Sequence, residues 1–239
     1  PPPVVDLVDV RLRYAGSPAD ALAIGRLAVR AGERVFVRGP SGCGKTTLLS
    51  LLAGVQLASS GAVRLMGVDW RELSSAGRDR RRADAVGYVF QQFNLLPYLS
   101  VLDNVLLPCR FSAGRAARAG ATPEAARATA LRLLDRMAIG AALTGRSVTA
   151  LSVGQQQRVA AARALIGQPA LVVADEPTSA LDEDLRDAFM RVFLEACAEA
   201  GSALVFVSHD RRLAPAFDLE IDLGRIESVV PAAIEDAHP

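Results

Sequence analysis

The sequence predicts an α/β fold built on a mainly parallel sheet. Three observations carry that expectation. The runs Arg34 to Arg38, Ala85 to Phe90, Ala170 to Ala174 and Ala203 to Val207 are short and mostly apolar, as strands buried on both faces are. Segments with helical periodicity or helix-start signals lie between them, the alternation expected of a parallel sheet with crossover helices. Each run gives way at once to polar or glycine-rich residues, and such sheets place ligands at the carboxyl ends of their strands.

The chain has 239 residues and 51% hydrophobic content, enough for one large domain with a sizeable core. Its net charge is +1, which gives no electrostatic basis for nucleic-acid binding. No apolar run approaches the roughly 18 residues of a membrane span. The opening Pro1-Pro2-Pro3 and the mixed residues after it carry no leader pattern. Three cysteines, Cys43, Cys109 and Cys197, form no even disulfide framework, which points to a reducing compartment.

Taken in order, Val4 to Tyr14 alternates apolar and polar residues and reads as a half-exposed strand. Leu27-Ala28-Val29 and Ala62 to Leu65 read as further short strands. Arg34 to Arg38 leads into Gly39-Pro40-Ser41-Gly42-Cys43-Gly44-Lys45-Thr46, which has the phosphate-loop spacing G-x-x-x-x-G-K-S/T. Thr47, Leu48, Leu49, Leu51 and Leu52 follow as a buried helix ending at Gly54. Strand, glycine loop and helix are the context the motif requires. The glycines let successive N–H groups turn inward as an anion nest, and the helix N-terminus adds positive charge there. Lys45 would reach the β- and γ-phosphates, and the Thr46 hydroxyl would ligate Mg²⁺. Lys45 is the only lysine in a chain otherwise supplied with arginine. A compact charge on a flexible stem is kept where the loop needs one.

Residues 71–84 are polar and carry Arg78, Arg80, Arg81 and Arg82, read as a solvated helix face or, more sharply, a contact for anionic lipid headgroups. The strand Ala85 to Phe90 ends in Gln91-Gln92. Residues 110–122 read as a loop or frayed helix end. Thr122-Pro123-Glu124 is a helix start with an N-cap, proline at N1 and an early acid, continued through Leu131, Leu134 and Met137. Another helix begins near Ser152, carries Val159, Ala162 and Ile166 on one face, and stops at Gly167 and Pro169. The tail Pro231 to Pro239 reads as loose.

Asp175 and Glu176 follow the strand Ala170 to Ala174. An aspartate at a strand end beside a phosphate loop suits Mg²⁺, and the adjacent carboxylate can polarise an attacking water. Without the loop, the same pair would read as a helix cap. A phosphate loop alone leaves many ATPase and GTPase families open.

Further residues narrow the choice. Leu151-Ser152-Val153-Gly154-Gln155 is close to L-S-G-G-Q, and Gln91, Ser179-Ala180-Leu181-Asp182 and His209 follow the loop in a fixed order. In these motifs the chain resembles an ATP-binding cassette (ABC) ATPase subunit over nearly all its length. The resemblance implies a P-loop NTPase core with an N-terminal antiparallel β subdomain and an inserted α-helical subdomain. It implies one domain over 1–239, with core 1–90 and 168–230, helical part about 91–167 and tail 231–239. Tyr14 matches the aromatic that stacks on adenine, and Gly39, Pro40, Ser41, Gly42, Cys43, Gly44, Lys45, Thr46 and Thr47 match the ATP cradle. Asp175, Thr46 and Gln91 would hold Mg²⁺, Glu176 would be the base, and His209 would hold the γ-phosphate. Two copies would pair head to tail on ATP, with Ser152, Gly154, Gln155 and Asp182 of one facing the nucleotide of the other.

An integral membrane permease would dock near Gln91 to Pro97, placing the subunit in the cytoplasm on the inner face of the membrane. Val89 to Pro97 and Val101 to Val105 look like the macrolide-exporter and lipoprotein-release group, while Glu176 to Asp182 is also common in amino-acid importers. A soluble ABC ATPase without a permease is the further alternative. Val153 departs from the pattern, since a β-branched residue does not easily take the positive φ open to the family's glycine.

Overall fold

A computed structural model describes residues 2–224 of the chain. The antiparallel sheet comes mostly from the N-terminal part. β1 (Val5–Leu12) pairs with β2 (Leu22–Val29) and with β4 (Ser60–Leu65), and β5 (Val68–Asp69) closes the order β2-β1-β4-β5. β3 (Arg34–Arg38) leaves this layer for the second sheet and leads through the glycine loop into α1 (Lys45–Leu52). That second sheet is parallel, with β6 (Val86–Val89), β7 (Leu171–Asp175), β8 (Ala203–Val207), β3 and β9 (Leu219–Asp222) in the order β6-β7-β8-β3-β9.

Side-chain alternation sorts the parallel sheet between two cores. Val35, Val37, Val173 and Val205 point to the core shared with α1 and the antiparallel sheet. Phe36, Val172, Leu204 and Phe206 point to the other, shared with α6 (Val153–Leu165) and α7 (Glu183–Ala200). Both faces being covered, the strands read as continuous apolar runs.

Between β6 and β7 the chain inserts α3 (Val101–Phe111), α4 (Ala113–Ala119), α5 (Pro123–Arg136) and α6. α2 (Ser75–Ala85) precedes β6. The expected α/β class and its parallel sheet therefore stand, together with an antiparallel β layer and an inserted set of helices.

Three local expectations change. Residues 110–122 are not a loop: α3 runs on to Phe111 and α4 follows, with Ser112 capping it through the Arg115 N–H at 3.0 Å. Arg115 is 2% exposed and donates to the carbonyls of Ile166, Val86 and Ala164, so long-range contacts hold a segment of weak local pattern. Three of the four α2 arginines bond within the chain, and Arg80 is exposed. Arg78 bonds Leu73 O at 2.8 Å, Arg81 bonds Leu65 O at 2.7 Å and Arg82 bonds Asp79 at 2.5 Å.

Phe93, expected on a docking surface, is 8% exposed and belongs to the core. Leu95 packs against the same core. Val153 needs no left-handed backbone: it is the first residue of α6, outside the set of positive-φ residues, and its side chain faces solvent. The expected loose tail, residues 231–239, lies outside the described residues.

Candidate nucleotide site

The residues of interest gather at the carboxyl ends of the parallel strands. The glycine loop leaves β3, Gln91 follows β6, Asp175 ends β7, and His209 follows β8. In the loop, Gly44 caps α1 at φ 96 with no side-chain acceptor, so the first N–H groups of α1 stay available to an anion. A Cβ at Gly44 would lie 2.7 Å from Ala21 O, so glycine is required on two counts. Lys45 Nζ donates to Gly39 O at 2.8 Å and Pro40 O at 3.0 Å, which folds the ammonium over the loop.

Tyr14 follows β1 and is half exposed. Its hydroxyl is 3.1 Å from Thr47 Oγ1 and donates to Gln56 Oε1 at 3.4 Å. Those bonds, Thr47 first, hold the phenol below its ordinary pKa and seat the ring beside α1.

Thr46 Oγ1 donates to Asp175 Oδ2 at 3.4 Å, joining loop and strand end. Burial pushes the Asp175 carboxyl above the usual carboxylate range. The Thr46 bond and Lys45 oppose that shift, and Glu176 adds to it. Glu176 has φ 43, a left-handed conformation that costs free energy for a side chain of its size. Its N–H donates to Val207 O at 3.0 Å and its carbonyl accepts from Ser179 N at 3.2 Å, so both sides of the turn are tied. The turn brings Glu176 Oε2 to 3.2 Å from His209 Nδ1.

Residues not anticipated from the sequence hold His209 from behind. Asp210 accepts from Arg186 Nη1 at 2.8 Å and from Arg212 Nη2 at 3.0 Å. Arg186 is buried on α7, so the ion pairs fasten the His209 turn to that helix. Alternating charges along Glu183, Arg186 and Asp187 were the available signal, but their partner lies 24 residues away in Asp210.

Gln91, two residues past β6, is exposed and makes no side-chain hydrogen bond among the described residues. The remaining predicted residues stand at helix starts. Ser152 caps α6 in a capping box: its Oγ accepts from Gln155 N at 3.3 Å, and Gln155 Oε1 accepts from Ser152 N at 2.9 Å. A Cβ at Gly154 would lie 3.6 Å from Leu181 Cδ2, so the signature turn adjoins the Asp182 segment. Asp182 Oδ1 caps α7 through Leu185 N at 2.9 Å. Among the described residues no hydrogen bond links Ser152, Gly154, Gln155 or Asp182 to the loop Gly39–Thr47. Cradle, acids and histidine thus form one group within the chain, and the signature turn and Asp182 another.

Comparison with known proteins places this geometry. The ABC transporter family matches residues 24–179. A lipoprotein-releasing system ATP-binding protein, LolD, of Anaeromyxobacter dehalogenans is 40% identical over 228 residues, covering 94% of this chain and 92% of that protein. The macrolide export ATP-binding/permease protein MacB of Syntrophobacter fumaroxidans is 37% identical over 88% of this chain, which spans 29% of MacB's length. The dimeric post-hydrolysis structure of the ATP-binding cassette MJ0796 bound to ADP and Pi matches with a TM-score of 0.80. It is 33% identical and covers 93% of this chain and 96% of its own. The chain belongs to the ABC transporter family of ATP-binding cassettes, and it is an ATPase.

Proposed function

We propose that two copies of this chain close head to tail around two ATP molecules and so drive a separately encoded membrane permease of the exporter or mechanotransmission kind. The observation that carries the reading is the meeting of Glu176 and His209, at 3.2 Å, next to Asp175, which accepts from Thr46 of the phosphate loop at 3.4 Å. The lipoprotein-releasing and macrolide-export names of its relatives support this branch.

In this reading the backbone N–H groups of the Gly39–Gly44 loop, Pro40 having none, cradle the β-phosphate. Lys45 exchanges the Gly39 and Pro40 carbonyls for β- and γ-phosphate oxygens, and Tyr14 stacks on adenine beside Thr47. The donor set fits Mg²⁺: a hydroxyl and a single carboxylate lie 3.4 Å apart, and such ions are held by one or two carboxylates plus phosphate and water. Thr46 and Asp175 would hold the ion directly and Gln91 would complete the set. Bound there, the ion supplies neutralising charge for the β- and γ-phosphate oxygens.

Glu176 takes the proton of the attacking water, and His209 orients that water and holds the γ-phosphate. Ser152, Gly154, Gln155 and Asp182 act on the nucleotide of the other copy, through the N-terminus of α6 and the start of α7. The core, 1–90 and 168–230, carries the cradle, and the helical part, 91–167, carries the signature.

Among the described residues no helix is long and apolar enough to cross a membrane. The permease would dock in a cleft of about 480 Å³ beside the Gln91 turn, lined by Tyr88, Phe90, Leu107, Pro108 and Phe111. This holds the subunit on the inner membrane face.

Glu176→Gln tests the reading. Glutamine keeps volume and an acceptor but cannot act as the base, so turnover should fall by roughly a hundredfold or more. ATP should then trap a dimer, seen by light scattering after gel filtration. Wild-type turnover in this variant would remove Glu176 as the base. Lost turnover with no ATP-dependent dimer would overturn the head-to-tail pairing.

A further inference from the structure

The chain turns sharply just after Gln91. Phe93 and Asn94 both adopt left-handed backbone, with φ of 60° and 48°, although neither is glycine. Two local bonds brace the turn, Phe93 N to Phe90 O at 3.0 Å and Asn94 N to Gln92 O at 2.6 Å. Successive left-handed side-chain-bearing residues persist only where their surroundings hold them.

The holder is Arg163 of α6. Its Nη2 donates to Phe93 O at 2.5 Å and its Nη1 to Asn94 O at 2.6 Å. The planar guanidinium matches the two carbonyls as a fork, which a single ammonium cannot do. Arg163 is 8% exposed and forms no ion pair among the described residues. Burial lowers its pKa to about 10, so it remains a cation at neutral pH. A buried cation without an acid is costly, and the two carbonyl dipoles are its compensation. If packing were its only purpose, an apolar residue would serve better at this position.

Its place in the fold gives the clamp a direction. α6 is buried along most of its length, and Arg115 fastens its far end through Ala164 O and Ile166 O. Ser152 and Gly154 stand at its first turn, roughly 15 Å from Arg163 along the axis. Arg163 also lines the cleft that contains Phe90 and Asn94.

We propose that Arg163 is a positioning residue that sets the Gln91 turn by tying it to α6, the helix that begins at the signature turn. This inference rests on the role proposed above for Gln91.

The test uses the full chain and two variants, Arg163→Lys and Arg163→Gln. Hydrogen exchange should show the Phe93 and Asn94 amides losing protection in both, while α1 and the central part of α6 keep theirs. Unchanged protection at Phe93 and Asn94 would overturn the clamp. Arg163→Lys, the milder change, covers the case in which the glutamine variant fails to fold.

Turnover of Arg163→Lys should fall about tenfold with KM for ATP unchanged. Placed on Gln91→Ala, the same change should lower turnover no further, within about twofold. Multiplicative losses in the double variant would mean that Arg163 does not act through Gln91, and would overturn the proposal. Gln91→Ala alone must slow turnover; wild-type turnover there would sink the reading of Gln91 and the coupling built on it, while exchange would still decide the clamp itself.

Discussion

Asp175 ends a strand covered on both faces, so its carboxyl group gives up water that the unfolded chain keeps. Burial raises its pKa above the ordinary 3.8, which means that the folded state binds the proton more tightly than the unfolded state. Between the two pKa values stability therefore falls as pH rises, and at neutral pH the ionised group is a net cost to folding. Asp175→Asn removes the charge and keeps the shape. The nucleotide-free variant is expected to melt higher at neutral pH, and the gain should fade as pH drops into the carboxylate range. Its Mg²⁺-dependent turnover should be lost. A lower melting temperature would mean that attraction from Thr46 and Lys45 outweighs burial. Phe93 makes the opposite case, a side chain read as surface that is core. Phe93→Ala should cost about 3 kcal/mol in urea unfolding, whatever the partner.

Elements differ in how far their signals are local. α5 is capped by Thr122, whose Oγ1 accepts from Ala125 N at 3.2 Å, with Pro123 in the first turn and Glu124 beside it. Those signals lie in consecutive residues and were legible. Thr122→Ala should cost about 1 kcal/mol, lower the melting temperature by about 3 °C and leave turnover unchanged. α4 is the contrary case. Ala113-Gly114-Arg115-Ala116-Ala117-Arg118-Ala119 has no apolar stripe, and its support comes from carbonyls dozens of residues away. No local pattern announces such bonds. Arg115→Ala should cost roughly 3 kcal/mol in urea unfolding, because it strands buried carbonyls at the end of α6 and the start of β6. β9 was missed for a related reason: Leu219 to Asp222 is a short edge strand, tied to β3 by register and by the Arg38 ion pairs to Glu220 and Asp222.

At the scale of the whole molecule, the parallel sheet brings loop, acids and histidine to one edge, and the inserted helices carry a second surface beside it. The first was legible because each site residue follows a strand of recognisable pattern. The second was not, because the cleft is made by α2, α3, β6 and α6 together, and Phe93, expected at the docking surface, turned inward. The cleft wall is partly aromatic. Tyr88 and Phe90 stack with ring centroids 4.0 Å apart, and Phe111 across the cleft is 70% exposed. An exposed aromatic on a helix end next to an apolar wall is poorly explained by folding alone and well explained by a partner. Phe111→Asp places a charge there without touching the core or the phosphate loop. The variant should melt with the wild type, bind ATP as the wild type does, and give the same ATP-dependent dimer in the Glu176→Gln background. It should fail to co-purify with the permease, and membrane-reconstituted activity should fall with it. Retained co-purification would move the docking surface away from the cleft, and a lost ATP-dependent dimer would mean that Phe111 serves the contact between copies instead.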